Sequence, residues 1–165
     1  LYRVSTVYIY RYFCPDWKKR FRRWEAIEYP SLINDIQNKV INRLNSEFDK
    51  ELMSMETCDS CLINKYKNGN DFIPPHVDSA RSFGPEPTII GLSVGEVRNL
   101  KLNRQGSLEE EEKSMDFELK LADNSVFVMK GATQKYFTHE IPKDHTKMDT
   151  RYSLTFREYK WNGTG

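Results

Sequence analysis

The sequence predicts a mainly β protein with helix, an α+β chain in which a β-sandwich or barrel is packed by one helix. Three observations lead there. Short runs of β-branched and aromatic residues recur along the chain, punctuated by Gly, Asn and Pro turn signals. One segment carries a sustained helical period. Aromatic residues make up 13% of the 165 residues, mostly Phe and Tyr, a bias that suits pleated, half-buried surfaces. The length fits a single domain, residues 1–165, with room for a core.

The elements follow in chain order. Residues 1–13 hold Val4, Val7, Tyr8, Ile9, Tyr10, Tyr12 and Phe13 and read as one or two strands, ended by the turn signal Pro15-Asp16. Residues 18–23, Lys-Lys-Arg-Phe-Arg-Arg, are the dense basic run. Ser31 then offers an N-cap. Leu32, Ile33, Ile36, Val40, Ile41, Leu44 and Phe48 follow at helical spacing, so a helix is predicted over about residues 32–48. Residues 61–66 read as a strand ended by Lys67-Asn68-Gly69-Asn70, and residues 88–94 and 98–102 as two more. Residues 104–114, with Gly106 and Glu109 to Glu112, read as a solvated loop. Strands resume over residues 117–121 and 125–129, Gly131-Ala132 turns the chain, and residues 150–159 form the last strand.

Composition excludes little but bounds the rest. Lys and Arg number 25 against 24 Asp and Glu, so net charge selects no anionic partner and only local clusters could. No apolar run approaches the length of a membrane span and no signal peptide is read, which sets the expectation of an intracellular protein without membrane contact, nuclear or cytoplasmic left open. The chain begins at Leu1 rather than Met, as expected of a domain cut from a longer protein. Cys58 and Cys61 have C-x-x-C spacing, but no second such pair and no nearby histidine pair completes a zinc site. They read as ordinary thiols, and the odd total of three cysteines speaks against a secreted disulfide framework.

Chemistry concentrates at His76-Val77-Asp78. In an extended segment side chains i and i+2 share a face, so imidazole and carboxylate could hold one metal ion. His139 downstream could close a two-His-one-carboxylate set, the ligand set of non-haem Fe(II) oxygenases. Chance also produces many H-x-D tripeptides. Along residues 151–157 alternation puts Arg151, Ser153, Thr155 and Arg157 on one face and Tyr152, Leu154 and Phe156 on the other. Two guanidiniums on a polar face suit a dicarboxylate, or else an ordinary exposed sheet surface. Asn64 and Tyr66 share a strand face just upstream of the H-x-D. His145 reads as a surface-loop histidine rather than a fourth ligand.

Residues 62–71, Leu-Ile-Asn-Lys-Tyr-Lys-Asn-Gly-Asn-Asp, followed by Ile73 and His76-Val77-Asp78, resemble the N-x-Y-x-x-G-x-D-x-I-x-x-H-x-D segment of the AlkB family. These are Fe(II)- and 2-oxoglutarate-dependent nucleic-acid demethylases. Gly131-Ala132-Thr133-Gln134 with His139 and Ile141-Pro142-Lys143 resembles the family's third-ligand region. Pro87 to Ile90 with Ser93 to Gly95 and Arg98 resembles a family strand pair, and residues 151–157 its R-x-x-L-T-F-R strand. The likeness runs from about residue 62 to residue 159, and the animal homologues that repair 1-methyladenine and 3-methylcytosine look most similar.

The resemblance implies a double-stranded β-helix, or jelly roll, with a supporting helix. Residues 1–30 would form an N-terminal nucleotide-recognition lid, and residues 31–160 the catalytic core. It implies that His76, Asp78 and His139 bind Fe(II), and that Asn64 and Tyr66 bind 2-oxoglutarate. Arg151 would pair with the far carboxylate of 2-oxoglutarate, Arg157 would lie near its metal-bound end, and Thr155 would line the pocket. Asp78 and Arg157 would be the catalytic pair. The reaction would be oxidative dealkylation of methylated DNA or RNA, single-stranded or with a flipped base, by a monomer. Candidate substrate contacts in the lid are Tyr10, Tyr12, Phe13, Trp17, Lys18, Lys19 and Arg20, aromatic and basic groups that suit stacking and phosphate contact. One departure is plain: family members of this kind carry acidic residues directly after the metal-binding Asp, and here Ser79 and Ala80 stand there. Poor discrimination between methylated adenine and cytosine is the expectation. A 2-oxoglutarate oxygenase acting on a protein side chain or small molecule, or a catalytically silent nucleic-acid binder, are the alternatives.

Overall fold

The computed structural model describes residues 5–10, 26–48, 58–106 and 116–160. Within them the strands, in chain order, are β1 (Ser5–Tyr10), β2 (Ala26–Glu28), β3 (Ser60–Tyr66), β4 (Ile73–His76), β5 (Ile89–Gly95), β6 (Arg98–Arg104), β7 (Phe117–Leu121), β8 (Val126–Met129), β9 (Phe137–Ile141) and β10 (Arg151–Arg157). The helices are α1 (Ser31–Glu47) and two single turns, α2 (Ala80–Phe83) and α3 (Thr133–Tyr136).

The strands form a six-stranded sheet ordered β2-β1-β3-β10-β5-β8 and a four-stranded sheet ordered β4-β9-β6-β7. From β3 onward successive strands cross between the sheets, except that β6 and β7 pair in one. This is the doubled Greek key of a jelly roll, in which two antiparallel sheets face each other around a core. The parallel pair β1–β2 extends the larger sheet at one edge.

β10 holds the centre of the larger sheet, between β3 and β5. Its two faces divide the protein's interior. Leu154 and Phe156 meet Ile33 and Leu44 of α1, with Cys58, Cys61 and Ile90, in a core between helix and sheet. The opposite face carries Arg151, Ser153 and Arg157, all buried. They look toward the second core, where Tyr66, Ile89, Leu100, Leu121, Met129 and Ile141 pack between the sheets. Arg151 and Arg157 are therefore interior, and the reading of an exposed arginine face is excluded.

α1 matches its predicted period, with one correction at its start. Pro30, not Ser31, is the N-cap, and no side chain caps the helix. Proline's fixed φ and the bond from Asn34 N–H to Pro30 O, 3.1 Å, begin the first turn one residue early. Gln37 is a buried polar group on the apolar face. It is satisfied by donating from Nε2 to Cys58 O at 3.0 Å and by accepting from the Tyr29 hydroxyl. Gly91 allows close packing across β5 and β8: a Cβ there would stand 2.1 Å from the Phe127 ring. That ring lies over Gly91 instead and helps wall the space between the sheets.

Candidate active site

β4 and β9 pair so that His76 lies directly opposite His139, and the two rings sit 4.1 Å apart. β4 reaches that register through an irregularity between Ile73 and His76, where Pro74 and Pro75 supply no ladder donors. The strand ends at His76. Asp78 lies two residues beyond the strand end, and its carboxylate comes to the same side as the His76 ring. Its Oδ1 stands 3.8 Å from His76 Nε2 and 3.9 Å from His139 Nε2. The three ligand atoms lie within 4.8 Å of one another. Metal–ligand bonds of about 2 Å bring ligands to within about 4 Å of each other, which both carboxylate–imidazole distances already meet.

The electrostatics prepare the trio for a cation. Arg157 Nε donates to Asp78 Oδ2 at 2.6 Å, which holds one carboxylate oxygen and leaves the other facing the imidazoles. Burial pushes the Asp78 carboxyl up, but Arg157, His139 and His76 together hold it below the usual carboxylate range. Burial, and then His76, push His139 down to about 4, so the ring is neutral at neutral pH. His76 Nδ1 lies 2.9 Å from Pro74 O. A carbonyl only accepts, so Nδ1 carries the proton and the neutral ring's lone pair is on Nε2.

A cavity of about 100 Å³ runs between the sheets from this trio to Arg151. Asn64, Tyr66, Ser153, Thr155 and Arg157 line its polar side, and Leu62, Ile89, Leu100 and Phe127 are among its apolar walls. Arg151 is only 1% exposed. Its Nε donates to Ser93 Oγ at 2.8 Å, and its guanidinium stacks on the Tyr66 ring, 4.9 Å from the centroid. Its Nη1 is buried with no partner among the described residues. An unpaired buried guanidinium N–H is costly, and a carboxylate in the cavity would satisfy it. Burial raises the Tyr66 pKa against the opposing pull of Arg151, so its hydroxyl stays a donor. Arg98 also lies over the Tyr66 ring, 5.5 Å from the centroid, and is tied to Asp71 O and Pro142 O at 2.9 and 2.6 Å. Thr6 Oγ1 donates to Asn64 Oδ1 at 2.8 Å, which leaves Asn64 Nδ2 for the cavity. The donor set fits a dicarboxylate at one end and a divalent cation at the other.

The remaining candidates fall into three groups. Arg157 sits at the metal end, but its guanidinium is committed to Asp78 and stacks on Phe83 at 5.0 Å. Ser79 and Ala80 are exposed at the start of α2, and Ala80 lines a second recess of about 430 Å³ with Val77, Asp78, Glu86 and Gln134. Tyr10 ends β1, whereas Tyr12, Phe13, Trp17, Lys18, Lys19 and Arg20 lie outside the described residues, as do Glu109 to Glu112. His145 is exposed and pairs with Asn70 Oδ1 at 2.9 Å, away from the trio. Cys58 and Cys61 are both 2% exposed and belong to the helix–sheet core. Sequence reasoning gave no role to Thr6, Ser93 or Gln134. Each acts through a partner distant in sequence, and no local pattern announces such a partner.

The 2OG-Fe(II) oxygenase superfamily model matches residues 3–157, and the chain belongs to that superfamily. Its sequence relatives include AlkB proteins. It is 31% identical over 115 residues to the DNA oxidative demethylase ALKBH2 of Arabidopsis thaliana, a match covering 59% of this chain and 37% of that protein. It is 33% identical over 104 residues to the alpha-ketoglutarate-dependent dioxygenase alkB homolog 3 of Homo sapiens, covering 61% and 36%. The chain thus spans little more than a third of these curated relatives. Among solved structures, OsALKBH1 superposes with a TM-score of 0.53 at 14% identity, covering 81% of this chain and 68% of that one. A Pseudomonas putida prolyl-4-hydroxylase superposes with a TM-score of 0.55 at 15% identity, covering 97% and 73%. These likenesses carry the fold, a jelly roll with accessory helix. Superfamily membership brings Fe(II) and 2-oxoglutarate as cofactor and cosubstrate.

Proposed function

We propose that this chain oxidatively demethylates N-alkylated nucleobases in DNA or RNA. One observation carries the reading: a single cavity with His76, Asp78 and His139 at one end and, at the other, Arg151, whose buried Nη1 has no partner among the described residues. His76, Asp78 and His139 would hold Fe(II). Arg151 would pair with the distal carboxylate of 2-oxoglutarate, with donors from Tyr66 and Asn64 beside it. When bound, Fe(II) and 2-oxoglutarate supply the oxidation: one atom of dioxygen goes to succinate with loss of CO2, the other to the N-methyl carbon, which leaves as formaldehyde.

The chain's own part is to position and to exclude water. Arg157 fixes the orientation of the Asp78 carboxylate. The apolar walls, Leu62 and Phe127 among them, would limit the water around the reacting groups. The recess beside Ala80 is the space next to Asp78 in which an unstacked base would be presented. The names of the relatives, a DNA oxidative demethylase among them, support nucleic acid as substrate. No carboxylate directly follows Asp78, and this supports weak discrimination between methylated adenine and cytosine.

The test is product analysis by mass spectrometry with Fe(II), 2-oxoglutarate and methylated single- and double-stranded DNA and RNA. Demethylated base and formaldehyde in step with succinate are expected. Succinate without demethylation of any of these polymers would defeat the nucleic-acid reading and favour a protein or small-molecule substrate.

A further inference from the structure

We propose that Gln134 is the positioning residue for the metal ligand Asp78. The proposal rests on the reading of His76, Asp78 and His139 as the metal ligands. The Asp78 backbone lies beyond the end of β4, where no sheet partner reaches it. Its N–H donates instead to Gln134 Oε1 at 2.6 Å. This bond settles which end of the amide is which, because a backbone N–H can only donate and the atom facing it must be the carbonyl oxygen.

The support for Gln134 is itself held on two sides. It sits in α3, closed by Lys135 N–H to Ala132 O at 3.0 Å, with Thr133 Oγ1 donating to Lys130 O at 2.7 Å. Gln105 on the neighbouring chain segment donates from Nε2 to Gln134 O at 3.2 Å and from its backbone to Tyr136 O at 2.8 Å. α3 leads without a break into β9, which carries His139. Gln134 therefore ties the segment bearing one ligand to the segment bearing another.

The other half of the amide sharpens the inference. Gln134 Nε2 is buried with no partner among the described residues. An amide donor left unsatisfied works against stability, so a glutamine chosen for packing alone would be a poor choice, and an apolar side chain of the same length would pack without that cost. Its acceptor on Asp78 is what the residue supplies. Arg157 fixes the carboxylate end of Asp78 while Gln134 fixes the backbone end, and together they determine where Oδ1 stands relative to the two imidazoles.

The test is Co(II) binding to the metal-free protein, followed by visible absorption, with thermal unfolding of the same metal-free samples. Gln134→Leu removes the acceptor at nearly constant volume. It is expected to weaken Co(II) binding about tenfold or more while the unfolding midpoint of the metal-free protein stays close to that of the parent. Gln134→Glu keeps an acceptor oxygen and is expected to restore most of the affinity. If Gln134→Leu does not fold, Gln134→Asn takes its place: it keeps the polarity but is too short to reach Asp78, and the same loss is expected. Parent and acceptor-free variant binding Co(II) equally tightly would overturn the proposal and leave the ligand set standing. A parent that binds no Co(II) would overturn the ligand set and the proposal with it.

Discussion

At the residue scale the site is a set of polar groups each held by a second group. Arg151 is the one whose function is easiest to isolate. Its guanidinium is fixed by Ser93 and by the Tyr66 ring, and its remaining buried N–H faces the cavity. Lysine would keep the charge but lose the planar fork and the Ser93 bond. Arg151→Lys is expected to weaken 2-oxoglutarate binding about tenfold, equivalent to about 1.4 kcal/mol, with Co(II) affinity unchanged. Calorimetric titration of the Mn(II)-loaded protein measures this, and unchanged affinity would remove Arg151 from the carboxylate site. Cys61 shows a different use of burial. Burial pushes its thiol up from 9.0 to about 12. Below about pH 9 the thiol is neutral in both folded and unfolded chains, and its contribution is fully present. As pH rises from 9 toward 12, only the unfolded chain gives up the proton, so stability falls by up to about 1.4 kcal/mol per pH unit. Urea unfolding of the parent and of Cys61→Ala at pH 8 and pH 10 should therefore show a larger alkaline loss for the parent. Equal losses would contradict this account.

At the element scale, legibility followed how much each element declares by itself. β10 was readable because one face is polar and the other apolar over seven consecutive residues, and α1 because its apolar positions keep a helical period. β4 went unassigned because Pro74-Pro75 build no strand pattern, although they sit in a strand. β2 has only three residues and pairs in parallel at an edge, and α2 and α3 are single turns, so none of these builds a pattern. At the site the metal trio and the Arg151 face were legible as residue types. Thr6 and Gln134 were not, because their partners Asn64 and Asp78 lie 58 and 56 residues away. One turn is a further case of distant dependence. Gly69 packs so closely on the loop after β9 that a Cβ would stand 1.6 Å from Asp144 O and 2.6 Å from Asp144 C, both backbone atoms. The two segments exchange Gly69 N–H to Lys147 O and Asp144 N–H to Gly69 O at 2.8 and 2.9 Å. Gly69→Ala is expected to cost roughly 2–3 kcal/mol, read from the urea midpoint. It should also weaken 2-oxoglutarate binding, because Arg98, which braces Tyr66, takes two of its carbonyl partners from that same turn. A variant as stable as the parent would show that the segments can separate without loss.

At the scale of the whole molecule, two sheets and one helix divide the work between two cores. The core under α1 is apolar and carries stability, with Phe156 and Ile90 fully buried and each such side chain contributing about 1.5–3 kcal/mol. The space between the sheets gives up part of its apolar packing to hold Arg151, Tyr66 and Asn64 around a cavity. That cavity has a direction: His76 at the metal end has a side chain 32% exposed, while Arg151 and Tyr66 at the far end are 1% and 2% exposed. Among the described residues the passage is closed at one end, and this imposes a queue. If the proposed substrate is right, the cosubstrate that belongs at the bottom would have to enter before a base covered the mouth, and the succinate left there could depart only after the product base had moved aside. Initial rates with oligonucleotide and 2-oxoglutarate both varied should therefore show compulsory order, the small acid first in and its remnant last out. A random-order pattern would mean a second way into the space between the sheets.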